Sequence, residues 1–139
     1  MIYILDAAAL LNTENFYFDK KNRYFTTNLV FDEWKDFQNR VIAENALSKG
    51  VLSIQDPCEE SIKKTIESIN KSNTKLSSAD ISIIALSFEF KERGENFVVI
   101  TDDYSVQNSL KKMKINFLGV IHKEIKKCRT FKSRNQFQN

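Results

Sequence analysis

The sequence has few residues of the kinds that build disulfide frameworks and zinc sites. It contains two cysteines, Cys58 and Cys128, which form no CxxC pair, and a single histidine, His122. A disulfide framework needs several cysteine pairs, and a structural zinc ion takes four ligands that are mostly cysteine or histidine. The composition therefore argues against both kinds of protein.

Long hydrophobic runs are also missing. No apolar stretch approaches the roughly 18 residues that a membrane-spanning helix needs. The opening residues, Met1 to Asp6, have neither the basic region nor the long apolar segment of a signal peptide. We therefore expect a cytoplasmic protein that has no membrane partner.

Length and charge suggest one domain with a basic end. The 139 residues are 42% hydrophobic and 28% charged, which is ordinary for a globular domain. Residues 123–139 carry six basic side chains against one acid, Glu124, whereas the rest of the chain is slightly acidic. Such a basic segment is either a solvated terminus or an arm for phosphate groups. We expect one domain over residues 1–122 and a basic, flexible tail over residues 123–139.

Short apolar runs alternate with helix-like segments along the chain. The runs predict strands over residues 2–5, 23–27, 51–54, 97–100 and 117–120, and helices are predicted over residues 7–11, 28–48, 56–71, 77–93 and 104–112, with Asn28 capping the second. Strands that alternate with helices require crossover connections. The pattern therefore predicts an α/β fold with a central, mostly parallel sheet of about five strands and helices on both faces.

Acidic residues follow two of the predicted strands. Asp6 comes directly after the first strand, and Asp102 and Asp103 come just after the fourth. In open parallel sheets the functional site lies outside the carboxyl ends of the strands. Each of these acids taken alone could instead cap the helix that follows it.

Two predicted helices carry acids that could reach the same edge. On the long helix, Glu33 falls beside an apolar stripe and has no Lys or Arg three or four positions away, although a basic residue from elsewhere in the fold could pair with it. On the fourth helix, Ser77-x-x-Asp80 fits a capping box, which is the favoured role for Asp80 taken by itself. The apolar stripe beside Glu33, on the predicted helix over residues 28–48, is formed by Val30, Trp34, Phe37 and Val41.

Taken together, these carboxylates indicate a metal site. Four or five carboxylates in one pocket repel one another unless a cation lies among them, and a set of oxygen ligands selects Mg²⁺ or Mn²⁺. The sequence shows no cysteine nucleophile, Ser–His pair or P-loop, so water activated by a metal ion is the chemistry that remains. Hydrolysis of phosphodiester bonds follows as a hypothesis.

Two other classes use a similar order of strands. A receiver-like fold would make Asp56 a phosphate acceptor, but it requires an acidic pair after the first strand, where Asp6 stands alone. A nucleotide-binding fold requires a glycine-rich turn at that point, and Asp6 is followed by three alanines. The first is disfavoured and the second is excluded.

Four segments resemble the motifs of one known family in both order and spacing. They read YILDAAAL from Tyr3, VFDEWKD from Val30, LSSADI from Leu76 and TDDYSVQN from Thr101. Over residues 1 to about 128 the chain is similar to PIN-domain endoribonucleases, which have a three-layer α/β fold. The fourth segment looks like the Nob branch, whose members mature the 3′ end of small-subunit ribosomal RNA in archaea and eukaryotes.

The resemblance implies a metal-dependent endoribonuclease that acts on single-stranded precursor ribosomal RNA and leaves 5′-phosphate and 3′-hydroxyl ends. One or two Mg²⁺ or Mn²⁺ ions would activate the attacking water. Because the wider family's Thr-x-Asp pattern matches Thr101 and Asp103, the primary acid of the Asp102–Asp103 pair stays open. The implied catalytic, metal-binding acids are Asp6, Glu33, Asp80 and one or both of Asp102 and Asp103.

The chain departs from the family after the nuclease domain. Members usually carry a zinc ribbon with two cysteine pairs there, whereas this stretch has one cysteine, Cys128, which we interpret as an ordinary thiol. The basic tail could supply phosphate contacts to RNA instead, although it could not recognise a sequence unaided. The predicted RNA-binding residues are Lys126, Lys127, Arg129, Lys132 and Arg134.

Two other functions are compatible with the same acids. One is a toxin-type PIN ribonuclease with an antitoxin partner, and the other is an inactive RNA-binding factor in ribosome assembly. PIN relatives often form homodimers, and the aromatic residues Phe16, Tyr17 and Phe18 would suit a partner surface, although such residues more often pack on their own domain.

Overall fold

A computed structural model of the protein describes residues 1–11, 17–70 and 75–120. Its centre is a five-stranded sheet in which every neighbouring pair of strands is parallel and the order is β3-β2-β1-β4-β5. The predicted α/β fold with a mostly parallel sheet is confirmed. The strands are β1 (Ile2–Leu5), β2 (Arg23–Thr26), β3 (Leu52–Ile54), β4 (Phe97–Ile100) and β5 (Phe117–Leu118).

Helices connect the strands in the described part of the chain. They are α1 (Ala8–Leu11), α2 (Asn28–Glu33), α3 (Phe37–Ser48), α4 (Glu59–Asn70), α5 (Ser78–Glu92) and α6 (Tyr104–Lys112). The helix α5 is apolar over most of its circumference, which is the pattern of a buried helix. It contacts β1, α2, α4 and α6, and its side chains Ile83, Ile84 and Leu86 lie in the core.

The prediction of one helix over residues 28–48 was wrong. Thr27, and not Asn28, caps the first helix, because its Oγ1 accepts a hydrogen bond from the amide of Val30 at 3.3 Å. The helix ends at Glu33 because Trp34 leaves the helical conformation and buries its indole ring in the core. The predicted apolar stripe is therefore not one continuous face, and Val41 is 38% exposed.

Several predictions fall at or beyond the ends of the described residues. The helix α4, predicted over residues 56–71, begins at Glu59 rather than at residue 56. Phe18 packs edge-on against Tyr24 and Tyr17 is exposed, whereas Phe16 lies outside the described residues. The boundary at residue 122, the basic tail and its RNA-binding residues also lie outside them. Among the residues described, no helix is long and apolar enough to cross a bilayer.

Candidate active site

Asp6 lies at the carboxyl end of β1, in the middle of the sheet. Its amide donates a hydrogen bond to the carbonyl of Ile100 at the end of β4, so the two strand ends are joined at this point (3.0 Å). Its Oδ1 accepts a hydrogen bond from the amide of Ala7 at 2.8 Å, and its Oδ2 accepts one from the hydroxyl of Thr101 at 2.7 Å. The side chain is held in one orientation and the residue is only 4% exposed.

The loop after β4 presents the second acid, Asp103. Its amide donates to the hydroxyl of Thr101, the residue that also binds Asp6 (3.2 Å). Its Oδ1 caps α6 by accepting hydrogen bonds from the amides of Ser105 and Val106, as predicted for an acid at this position. The cap uses one carboxylate oxygen of Asp103 and leaves Oδ2 without a hydrogen bond from the described residues.

The neighbouring acid, Asp102, is turned towards the end of β5. Its Oδ1 accepts a hydrogen bond from the amide of Val120 at 2.8 Å. A Cβ atom on Gly119 would lie 2.6 Å from that oxygen, so a larger residue there would push the Asp102 carboxylate aside. The Asp102 carboxylate therefore joins the loop to the last described residues, whereas Asp103 is bonded to the threonine that holds Asp6.

Asp80 lies in the first turn of α5, where the capping box predicted for it is confirmed. Its Oδ2 accepts a hydrogen bond from the amide of Ser77, and the Ser77 hydroxyl accepts one from the amide of Asp80, each at 3.1 Å. Two residues further on, the hydroxyls of Ser82 and Thr27 are hydrogen bonded at 2.7 Å. This bond fixes the start of α5 to the start of α2, beside the end of β2.

Glu33 reaches the same edge through its neighbour in the chain. The indole Nε1 of Trp34 donates a hydrogen bond to the carbonyl of Ala7, the residue after Asp6, at 2.9 Å. Since Trp34 follows the last residue of α2, this bond holds the end of that helix against the turn that carries Asp6. Glu33 is exposed.

The acids influence one another electrostatically. The pKa of Asp6 is raised from 3.8 to about 6, chiefly by burial and to a smaller extent by the charges of Asp80 and Asp103, against the opposing hydrogen bonds from Thr101 and Ala7. Partial burial also raises the pKa of Glu33, with a further contribution from the charge of Asp80. Asp80 is therefore close enough to affect two acids that come from different elements.

The donor set fits a hard divalent cation. Among residues 1–11, 17–70 and 75–120, no three Asp, Glu, His or Cys side chains form a group that would hold a metal ion by themselves. The acids instead act on one another in pairs, Asp6 with Asp80, Asp6 with Asp103, and Glu33 with Asp80. Mg²⁺ is commonly bound through one or two carboxylates and keeps several waters, so such pairs suit it better than a closed cage.

Some residues that shape this edge were missed as site residues by sequence reasoning. Thr101 binds both Asp6 and Asp103, yet it drew notice only as part of a Thr-x-Asp pattern. Trp34 was assigned to a helix face, although it is the only tryptophan of the chain and a buried indole usually finds a hydrogen-bond acceptor. No sequence signal marked the Thr27–Ser82 bond, because the two residues are 55 positions apart.

Known proteins of similar sequence are nucleases. The Endoribonuclease Nob1 of Methanothermobacter thermautotrophicus is 35% identical over 120 residues, which are 85% of this chain and 68% of that protein. Endoribonuclease Nob1 of Methanocaldococcus jannaschii is 34% identical over 86% of this chain and 56% of its own length. The yeast 20S-pre-rRNA D-site endonuclease NOB1 is 35% identical over 67% of this chain and 21% of its own length. The chain therefore spans only part of each relative.

Solved structures of similar shape show the same fold. A PilT N-terminus domain protein from Sulfolobus solfataricus aligns with a TM-score of 0.57 at 17% identity, over 94% of this chain and 97% of that one. The VapBC-1 structure from Haemophilus influenzae aligns with a TM-score of 0.56 at 13% identity, over 87% and 99%. The family model described as the PIN domain of ribonuclease matches residues 3–90. This chain therefore belongs to the PIN-domain family of ribonucleases, in the group of the archaeal Nob1 endoribonucleases.

Proposed function

We propose that this protein is a metal-dependent endoribonuclease that cleaves single-stranded RNA during 3′-end maturation of the small-subunit ribosomal RNA precursor. The observation that carries the proposal is the environment of Asp6. A carboxylate that is buried beside Asp80 and Asp103 is costly without a cation, and its pKa of about 6 expresses that cost. Carboxylates with strongly shifted pKa values cluster at functional sites, which supports this assignment.

The residues of the chain have separate tasks in this proposal. In pairs that share Asp6, the carboxylates of Asp80 and Asp103 would hold one or two Mg²⁺ or Mn²⁺ ions, with Glu33 as an outer ligand. The bound ion would neutralise the phosphate charge and lower the pKa of water at the site. Thr101 fixes the orientation of Asp6, and Trp34 fixes the position of Glu33, so the acids are arranged before RNA arrives.

Similarity to named proteins supports the choice of substrate. The archaeal relatives are endoribonucleases, and the yeast relative is named for a site in the 20S ribosomal RNA precursor. The segment from Thr101 to Asn108 resembles the fourth motif of the Nob branch. The chain spans 68% and 56% of the two archaeal relatives, so the substrates and partners of those whole proteins apply to this chain only as a proposal.

The alternative functions have less support. The VapBC-1 structure is only 13% identical and so shows the fold alone, whereas similarity at 35% identity is to Nob1. An inactive assembly factor would have no need for a carboxylate buried at the cost seen for Asp6. Location in the cytoplasm, a homodimer and RNA binding by the tail stay predictions from the sequence.

The proposal is tested with RNA that spans the 3′ end of the small-subunit ribosomal RNA and its downstream precursor sequence. The purified protein is incubated with Mn²⁺, Mg²⁺ or EDTA, and the ends of the products are mapped. Asp80→Asn is the test variant because an asparagine oxygen can still accept the capping bond from Ser77. Asp32→Asn is the matched control, since Asp32 is an exposed acid on α2 beside Glu33.

We expect cleavage at the mature end that requires metal, is abolished in Asp80→Asn and is retained in Asp32→Asn. The products should carry 5′-phosphate and 3′-hydroxyl groups. Metal-dependent cleavage elsewhere in the RNA would contradict the proposed substrate but would agree with the proposed nuclease activity. RNA binding without cleavage by the wild-type protein would favour the assembly factor.

A further inference from the structure

An aromatic side chain beside the acids is left in solvent. Tyr104 is the first residue of α6 and directly follows Asp103. It is 81% exposed, more than any other exposed large hydrophobic side chain of the described residues. Isolated exposed apolar residues are common, so exposure alone decides nothing. The position of Tyr104 is informative, because this tyrosine adjoins the residue that we place next to the cation.

The backbone that carries Tyr104 is held on both sides. The Asp103 side chain accepts hydrogen bonds from the amides of Ser105 and Val106, which are the two residues after Tyr104. The side chain of Gln107 donates to the carbonyl of Thr101 at 2.8 Å and closes the loop from the other side. The tyrosine therefore projects from a fixed turn, and its position relative to Asp103 does not depend on a mobile loop.

An exposed ring at this point suits an unpaired nucleobase. Single-stranded RNA is commonly bound by stacking its bases on aromatic side chains while charged groups contact its backbone. Successive Cα atoms are about 3.8 Å apart, so a nucleotide whose phosphate reaches Asp103 has a base within reach of the next side chain. We propose that Tyr104 stacks on an unpaired base next to the scissile phosphate and so positions single-stranded RNA at the acids.

This inference rests on the proposed function and adds a source of substrate selectivity to it. In an RNA duplex both faces of each base are covered by its neighbours, so a base must leave the stack before it can pack on Tyr104. The carboxylates recognise no base, because they would act on the phosphate through the cation. Tyr104 would therefore favour single-stranded over paired RNA without reading a particular sequence.

The test compares Tyr104→Ala and Tyr104→Phe with the wild-type protein on a single-stranded RNA that the wild type cleaves in the presence of Mn²⁺. Tyr17→Ala is the matched control, since Tyr17 is also an exposed tyrosine and precedes Phe18, which packs on Tyr24 near the start of β2. Each protein is assayed on the intact RNA and on RNAs that lack one base near the cleavage site. Thermal denaturation of each variant checks that the fold is kept.

We expect Tyr104→Ala to raise KM at least about 5-fold with little change in kcat, because stacking binds the ground state and the transition state alike. Tyr104→Phe and Tyr17→Ala should behave like the wild type. One base-lacking RNA should weaken binding to the wild type but bring no further loss to Tyr104→Ala, because the same contact is removed from either side.

Three results would overturn the inference. Wild-type cleavage with an unchanged KM in Tyr104→Ala would reject the stacking role and leave the nuclease intact. The second result is a loss of binding from the missing base that adds in full to the loss from Tyr104→Ala. If this held at every base position tested, it would show that the base and the tyrosine do not touch. Failure of the wild-type protein to cleave or bind any RNA would reject the proposed function and this inference with it.

Discussion

The acids lie at one edge of the sheet, the acidic edge, and its two halves are built by different means. The strand half carries Asp6 and the acids after β4, and the helix half carries Glu33. Asp6 is buried, joins the ends of the central strands β1 and β4, and accepts hydrogen bonds from Ala7 and Thr101. Glu33 is exposed at the end of a six-residue helix, and its place depends on the indole bond from Trp34 to the first half. The sheet therefore fixes the position of Asp6, whereas a side-chain contact holds Glu33 close to it.

The strand half is expected to respond most strongly to loss of one charge. Asp6→Asn should lower the cleavage rate by at least about 100-fold, since it removes a central ligand. The same change should stabilise the metal-free fold. The folded pKa of Asp6 lies near 6 and its unfolded value near 3.8, so the wild type loses stability as the pH rises between these values.

The gain of Asp6→Asn in free energy of unfolding should therefore be absent below about pH 4 and complete above about pH 7, with an upper bound of about 3 kcal/mol. Urea denaturation in EDTA at pH 4 and at pH 8 measures this gain. A variant that is less stable than the wild type at pH 8 would show that the buried carboxylate is not under electrostatic stress.

Asp102 and Asp103, the adjacent acids of the strand half, should differ in how much each contributes to the cleavage rate. Asp103 is bonded to Thr101 and acts on Asp6, whereas Asp102 is bonded to the amide of Val120. Asp103→Asn should lower the cleavage rate by about 100-fold, and Asp102→Asn by less than about 5-fold, because an asparagine oxygen still accepts the Val120 bond. Initial rates at saturating Mn²⁺ measure both. The reverse ranking would assign the primary ligand to Asp102.

Loss of the indole hydrogen bond that holds the helix half should reduce cleavage less than loss of an acid in the strand half. Trp34→Phe keeps a buried ring but leaves the carbonyl of Ala7 without the indole donor, which should cost about 1–3 kcal/mol of stability. Cleavage should fall by about 10-fold because Glu33 moves, while the environment of Asp6 is unchanged.

A control for the anchor variant separates stability from position. Ile115→Val shortens a buried side chain at the loop before β5 and should cost about 1 kcal/mol while activity is kept. Denaturation and cleavage are measured on both variants at a temperature where each is folded. Equal activity in Trp34→Phe and Ile115→Val would show that the indole bond does not position Glu33.

The parts of the fold set by local patterns could be predicted from the sequence. The strands at the centre are short apolar runs, and Ser77 with Asp80 forms the expected capping box. Parallel topology then places Asp6 and the acids after β4 at one edge, because carboxyl ends of parallel strands meet there.

The parts set by contacts between distant residues could not be predicted. The break between α2 and α3 follows from where the Trp34 indole finds an acceptor, 27 positions back in the chain. Helical periodicity continues through that point, so the pattern indicates a single helix. The contrast between Asp102 and Asp103 likewise depends on Val120, which lies 18 positions further along the chain, just after the strand β5 that pairs with β4.

Direct measurement of Mn²⁺ binding, in the absence of RNA, tests whether the acidic edge binds a divalent cation. Isothermal titration calorimetry at pH 7.5 is carried out on the wild type, Asp6→Asn, Asp80→Asn and the control Asp32→Asn. We expect binding to the wild type and to Asp32→Asn, and affinities at least about 10-fold weaker in the two site variants. Equal Mn²⁺ affinity in all four proteins, or no binding to the wild type, would show that Asp6 and Asp80 do not form a site for a divalent cation.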